Sequence, residues 1–250
     1  MSQTSIIIQA RTGSTRMPQK VVLPFYDGKS IIEILLEKLL TTGFPIVLAT
    51  TDNPADNQLV AKAEKYPIGI FRGSEENVLA RFIGAAKQFQ VKNIVRVCAD
   101  NPFLDAASIL VLAEEFAKNP SDYLSFQFSG NRPSIKTHFG FFAEMTTLEA
   151  LQKAASLTSD KLYIEHVTNY LYGHPQLFNV RFLDAPEFIF SRSDIRLTLD
   201  TPVDFSLQQK IYAEMKLQNP NFDIDEVVAF LDKNPELLQQ MKLEIDKNSK

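Results

Sequence analysis

At 250 residues, with 45% hydrophobic and 22% charged residues, the chain has the composition of an ordinary folded protein and the length for one large α/β domain or two small ones. A formal net charge of −4 and a pI near 5.5 exclude the dominant basic field that non-specific binding to nucleic acid or an anionic membrane surface requires. The single cysteine excludes an intrachain disulfide and a multi-cysteine metal site, and no apolar run approaches the ~20 residues of a membrane-spanning helix.

Ser5–Ala10 is an apolar run that stops abruptly at Arg11-Thr12-Gly13-Ser14-Thr15-Arg16-Met17-Pro18-Gln19-Lys20, so it reads as a strand entering a loop. Residues 1–26 contain Arg11, Arg16 and Lys20 but no Asp or Glu, although the protein as a whole is acidic. Uncompensated cations beside small hydroxylated residues suit an anionic ligand, with backbone N–H groups near Gly13 and Ser14 and the hydroxyls of Ser14 and Thr15 completing the cradle. A solvated surface loop is the alternative. The stretch before Ile6 carries no positive residue and Ile6–Ile8 is too short for a signal-peptide core, which places the chain in the cytoplasm.

Further on, Ser30 and Glu33 form a capping box for a helix that ends before Gly43. Phe44–Ala49 is a short buried strand, and Asn53 caps the next helix with Pro54 in its first position. Ile68–Phe71 is a strand and Ser74 starts a helix through Phe89, with Glu75 and Glu76 in its first turn. Asn93–Cys98 is a fourth strand, with Cys98 expected as a small core residue at its end, and Asp105 caps a helix to Lys118. Four strand-loop-helix units predict an α/β fold: a Rossmann-like, mostly parallel sheet with helices on both faces and ligands beyond the carboxyl ends of the strands.

After Asp122 the rhythm changes. Tyr123–Phe128, Thr137–Ala143 and Leu177–Leu183 read as strands, with helices starting at a Thr146–Glu149 capping box and near Asp160. Residues 129–185 are expected to form an α+β lobe that closes over the sheet or meets another subunit, within a single domain of residues 1–250. The sheet is expected to resume at Ile195–Leu199. Asp200-Thr201-Pro202 then opens a helix with Asp204 at its third position, and helices near Ile224–Leu231 and Pro235–Ile245 end the chain.

Two common phosphate motifs are missing. Gly28-Lys29-Ser30 matches the end of a P-loop, but Leu23 stands where that motif needs Gly, and the first loop has no G-x-G-x-x-G fingerprint. A bound nucleoside triphosphate brings Mg²⁺, and Asp100 and Asp200 stand at the ends of two predicted strands as carboxylates for it. Their alternative role is to accept from turn N–H groups. His138, His166 and His174 show no metal-ligand spacing and read singly as structural.

These residues resemble a known family. Arg11 to Lys20 is similar to the R-x-x-S-T-R-x-P-x-K loop of the cytidylyltransferases that include CMP-KDO and CMP-sialic acid synthetases and the spore-coat polysaccharide biosynthesis protein F group. The likeness to the last group continues through Leu48–Asn53, Phe71–Phe82, Arg96–Asp105, Glu165–Tyr170 and Ile195–Phe205. The resemblance implies a Mg²⁺-dependent enzyme that joins CMP from CTP to an acidic sugar, nonulosonate-like or KDO-like, for cell-surface polysaccharide. It implies that Arg11, Thr12, Gly13, Ser14, Thr15, Arg16 and Lys20, with Arg72, Gly73 and Ser74, hold the nucleotide. Asp100 and Asp200 would hold the metal, His138 would touch the sugar, Arg11, Lys20 and Asp100 would carry catalysis, and the enzyme would be a homodimer. Gln19 and Ala99 stand where the family commonly has Gly. Two other readings share parts of this pattern: a GT-A-like glycosyltransferase using a nucleotide sugar, and a nucleotide-binding homologue without catalysis.

Overall fold

Alternation along the first strand decides how the fold is layered. In β1 (Thr4–Gln9) Ile6 and Ile8 face one side of a sheet and Ile7 the other, and all three are fully buried, so helices must cover both faces. Residues 4–248 are described in this computed structural model. A short hairpin, β2 (Pro24–Tyr26) and β3 (Lys29–Ser30), follows the first loop and turns through Asp27 and Gly28, both left-handed at φ 49° and 71°. Gly28-Lys29-Ser30 therefore belongs to a hairpin turn.

The beat read from the sequence then continues through α1 (Ile31–Leu40), β4 (Ile46–Thr51), α2 (Asn57–Ala63), β5 (Gly69–Gly73), α3 (Val78–Gln88), β6 (Asn93–Cys98) and α4 (Ala106–Lys118). The Glu33 carboxylate accepts from the Ser30 N–H and hydroxyl at 3.0 and 2.5 Å. Asn53 accepts from the Ala55 N–H at 3.0 Å, and Asp105 caps α4 through Ala107 and Ser108. One start differs: α3 begins at Val78, capped by Asn77, so Ser74 to Glu76 form a turn before it. There the Ser74 hydroxyl accepts from the Asn77 N–H at 3.0 Å.

The second half contains β7 (Tyr123–Phe128), β8 (Arg132–Pro133), β9 (Glu144–Thr147), α5 (Leu148–Leu157), α6 (Lys161–Glu165), α7 (Asn169–Gly173), β10 (Val180–Asp184), α8 (Glu187–Phe190), α9 (Pro202–Gln218), α10 (Ile224–Asp232) and α11 (Pro235–Lys247). The main sheet has the order β10-β7-β9-β6-β1-β4-β5, with β8 paired to β7. β6, β1, β4 and β5 are mutually parallel, β10 is parallel to β7, and β9 runs antiparallel between β7 and β6. Residues 129–185 thus supply three strands, β8, β9 and β10, to the main sheet.

Three expectations fail here for definable reasons. Thr137–Ala143 pairs with no strand, whereas the following Glu144–Thr147 does; a carboxylate inside a central strand hid it from a hydrophobicity reading. Thr146 lies in that strand and Thr147 caps α5 instead, accepting from Ala150 N–H at 3.0 Å. Ile195–Leu199 is buried and alternates, but it crosses the sheet rim without a ladder partner. No helix of the described residues is long and apolar enough to cross a membrane.

One face of the sheet packs against α1, α4 and α9 through Leu35, Leu39, Ile109, Leu112 and Ile211. The other packs against α3, α5 and α7 through Phe82, Ala85, Leu151 and Leu171. At ~25 cal/mol per Å² of buried apolar area this double core supplies the main drive for folding and leaves the strand ends to carry chemistry.

Candidate functional site

The first loop is tied down from below by an acid that the sequence reading passed over. Thr12 donates from its N–H and hydroxyl to Asp56 Oδ1 at 2.7 and 2.6 Å. Oδ2 accepts from the Thr50 hydroxyl, the Thr51 N–H and the Thr51 hydroxyl at 2.9, 3.2 and 2.5 Å. Burial pushes the Asp56 carboxyl up, but hydrogen bonds from Thr12, Thr51 and Thr50 outweigh it and hold the pKa below the ordinary 3.8. The Thr12 hydroxyl thus anchors the loop. Its carbonyl accepts from the N–H groups of Ser14 and Gln19 at 3.0 and 2.8 Å, which folds the loop back on itself. Gln19 sits at φ 63°, so the backbone there uses the left-handed conformation that glycine would take without strain. Ala99 is not among the positive-φ residues, and its N–H donates to the Gln9 carbonyl at 3.0 Å.

Above the anchor, the loop's cations meet the two aspartates. Lys20 Nζ donates to Asp100 Oδ2 at 2.9 Å and also to the Leu199 carbonyl. Arg16 Nη2 donates to Asp200 Oδ1 at 2.8 Å. Residues 11–20, 100 and 200 therefore share one rim, although Ile195–Leu199 is not a strand. The Asp100 side chain is 31% exposed and that of Asp200 only 10%, so Asp100 is the more accessible carboxylate.

Asp200 is held from behind. The Arg196 side chain is fully buried and forks onto Asp204 at 2.7 and 2.8 Å, with a longer contact of 3.3 Å to Asp200 Oδ2. Its Nη1 lies 2.7 Å from His138 Nδ1. A guanidinium only donates, so Nδ1 accepts and the imidazole proton sits on Nε2. The N–H groups of Leu197 and Thr198 donate to the His138 carbonyl, at 2.7 and 3.0 Å. Close approach requires Gly140: it lies at φ 68°, and a Cβ there would fall 2.6 Å from the Leu197 carbonyl oxygen.

A cleft of about 650 Å³ opens over the strand ends. Arg16, Asp100 and Asp200 line it on one side; Gln9, Arg96 and Cys98 lie along the ends of β1 and β6. Lys136, Phe139, His166, Asn169 and Tyr172 come from the second half. Cys98 is half-buried in this wall, contrary to the core position expected for it. Lys136 Nζ stands 5.1 Å from the centre of the Tyr172 ring. Asp100 and Asp200 are the only carboxylates among the described lining residues.

Other expected residues fall elsewhere. His138 does not line the cleft, and the histidine that does is His166. Arg72 uses its donors on the neighbouring turn, reaching the Thr51 and Asn53 carbonyls at 2.8 Å each and Asn57 Oδ1 at 2.7 Å. Gly73 accepts from the Asp52 N–H at 3.0 Å. Arg11 stands 3.8 Å from Glu75, and Gly13 lies close enough to Glu75 that a Cβ would meet it at 3.0 Å. Ser14 accepts from the Met17 N–H at 3.3 Å, while Thr15 is exposed. Arg81 supports the turn before α3 from inside: it donates to the Ser74 carbonyl at 2.6 Å, and burial followed by repulsion from Arg11 lowers its pKa to about 10.

The sequence pattern of the family described as Cytidylyltransferase matches residues 5–242. The spore coat polysaccharide biosynthesis protein SpsF of Bacillus subtilis is 32% identical over 243 residues, 94% of this chain and 97% of that protein. The uncharacterized protein MJ1063 of Methanocaldococcus jannaschii is 40% identical over 233 residues, covering 92% and 91% of the two chains. Among solved structures, a cytidylyltransferase from Leptospira borgpetersenii superposes with a TM-score of 0.82 at 28% identity, covering 96% of this chain and 98% of its own.

Proposed function

The chain belongs to the cytidylyltransferase family and is a nucleotidyltransferase, and from that premise we propose that it transfers CMP from CTP to an acidic sugar with release of pyrophosphate. The observation that carries the reading is the pairing of Lys20 with Asp100 and Arg16 with Asp200 on one rim of the cleft. Two cations suit a triphosphate, and two carboxylates suit the divalent ion that accompanies it. The acidic acceptor is supported by the rest of the lining, where Lys136 and His166 are present without a carboxylate.

Asp100 and Asp200 are the residues that would hold Mg²⁺. Their carboxylate oxygens are the donors that a hard divalent ion takes, so the two residues fit that role. When bound, Mg²⁺ neutralises charge on the phosphates and lowers the pKa of a coordinated hydroxyl. Arg16 and Lys20 turn from the aspartates to the triphosphate and stabilise the charge that develops on the leaving pyrophosphate. The acceptor hydroxyl attacks the α-phosphorus, the bond to the β-phosphate oxygen breaks, and the hydroxyl proton leaves to solvent. Arg196 and Asp204 keep Asp200 in place during these events. The proposal includes action as a cytoplasmic homodimer in cell-surface polysaccharide synthesis; the Bacillus relative is named for spore coat polysaccharide biosynthesis.

Pyrophosphate release, measured with CTP, ATP and GTP over a panel of sugar acids, tests the reading. CTP is expected to support release and the purine nucleotides to support little. Asp100→Asn is expected to lower kcat roughly 100- to 1000-fold with an unchanged melting temperature. Full activity in that variant removes Asp100 from the site.

A further inference from the structure

Gln9 ends β1 on the wall of the cleft. Its side-chain oxygen accepts from Arg96 Nη2 at 3.1 Å. A guanidinium has donors and no acceptor, so this contact alone decides which end of the amide faces Arg96. The Nε2 hydrogens must face elsewhere, and they make no hydrogen bond among the described residues.

Arg96 is itself immobilised. Its Nη1 is paired with Glu144 Oε2 across the β6–β9 ladder. Glu144 Oε1 accepts from the Tyr123 hydroxyl at 2.5 Å and the Thr168 hydroxyl at 3.0 Å. Glu144 is 2% and Tyr123 0% exposed, so this polar chain runs through the middle of the sheet and emerges at the cleft. Burial lowers the Arg96 pKa, but its neighbours Cys98 and Glu144 and the Glu144 hydrogen bond more than restore it, and the guanidinium stays a donor. A buried ion pair of this kind adds little net stability, yet it fixes direction. Here the direction is that of the Gln9 amide.

We propose that Gln9 is a specificity-determining residue on the acceptor side of the cleft, where its Nε2–H donates to a carboxylate oxygen of the sugar acid, with Glu144 and Arg96 as positioning residues. The assignment rests on the CMP-transfer reading. The cleft holds Arg16, Asp100 and Asp200 of the phosphate side together with Lys136, His166, Thr168 and Tyr172, whereas Arg11, Ser14, Thr15 and Arg72 do not line it; Gln9 is assigned to the acceptor because its free donor suits a carboxylate. Lys136 supplies charge for the same carboxylate, and Gln9 supplies a fixed donor.

Gln9→Glu tests this with little change in shape. Glutamate retains an oxygen for Arg96 and replaces the Nε2 donor by a second oxygen that repels a carboxylate. The acceptor KM is expected to rise at least about tenfold, as for a hydrogen bond to a charged group, with the CTP KM within about twofold and the melting temperature not lowered. Calorimetric binding of 3-deoxy-manno-octulosonate and N-acetylneuraminate, without turnover, provides the second readout. A sugar acid that binds both forms equally overturns the role of Gln9 whether or not pyrophosphate is released. So does a CTP KM that rises as much as that of the acceptor. Failure of every sugar acid to release pyrophosphate, with binding still weakened by Gln9→Glu, overturns the transfer reading and supports Gln9. No binding of either sugar acid to the unaltered protein overturns both.

Discussion

Two buried carboxylates, Asp56 and Asp204, each fasten one segment of the cleft rim, and they do so with different partners. Asp56 holds the first loop with five hydrogen bonds from uncharged N–H and hydroxyl groups of Thr12, Thr50 and Thr51. Asp204 collects the N–H groups of Asp200 and Thr201, at 2.9 Å each, and also receives the Arg196 fork. The first arrangement can be undone donor by donor, because freed hydroxyls can rotate toward water. The second cannot, since removal of the acid leaves a buried guanidinium behind. The Asp200 side is thus the fixed wall and the cationic loop the adjustable one.

The largest effect expected from this contrast is that of Asp204→Ala. Losing one partner of a buried ion pair costs about 3–5 kcal/mol, which for a chain of this size lowers the melting temperature by on the order of 10 °C. Asp56→Ala is expected to cost less, about 2 kcal/mol, and to raise the CTP KM as the loop loosens. Equal losses in calorimetric unfolding would erase the distinction.

Acid sharpens it further. Burial pushes both carboxyls up, but hydrogen bonds win and hold both below the ordinary 3.8, from Thr12 and Thr51 for Asp56 and from Arg196 for Asp204. A depressed folded pKa contributes stability that is present above the unfolded value and is lost as pH falls through the folded one. Urea midpoints from about pH 6 down to pH 2 should therefore fall below about pH 4, and each alanine variant should fall less steeply. The smallest effect belongs to Gln19→Gly. Release of a left-handed non-glycine backbone gains roughly 1 kcal/mol, offset in part by unfolded-chain entropy, so a net stabilisation below ~1 kcal/mol is expected. Ala99→Gly has no such strain to relieve and should destabilise.

The parts of the fold that local chemistry dictates were legible in the sequence. Asn53, Asp105 and Thr201 cap helices where their side chains and the following residues require, and the four parallel strands stand where apolar runs meet polar turns. Glu144–Thr147 was not legible, because its strand character depends on Arg96, a residue far away in the chain that neutralises Glu144. The same distance concealed Asp56, whose sequence neighbourhood is that of a surface acid at the start of a short helix. Asp100 and Asp200 drew attention as acids at the ends of two expected strands, and they stand beside Lys20 and Arg16 of the first loop although Ile195–Leu199 forms no strand. His138, expected at the sugar, turns its ring to Arg196 and does not line this cleft, a pairing of distant residues that no local pattern displays. His166 was set aside as structural because one histidine on a short helix carries no spacing signal.

The position of β9 has a consequence for how the chain is made. β6 can pair with β1 once residues 93–98 have left the ribosome, but its other edge is covered only by residues 144–147, which in turn receive β7 on their far side. Everything between must leave the ribosome before that edge closes. Until then a nascent chain carries an open row of backbone donors and acceptors, with Arg96 exposed and lacking Glu144. The charge that fixes the finished sheet also discourages a stray apolar strand from pairing there first.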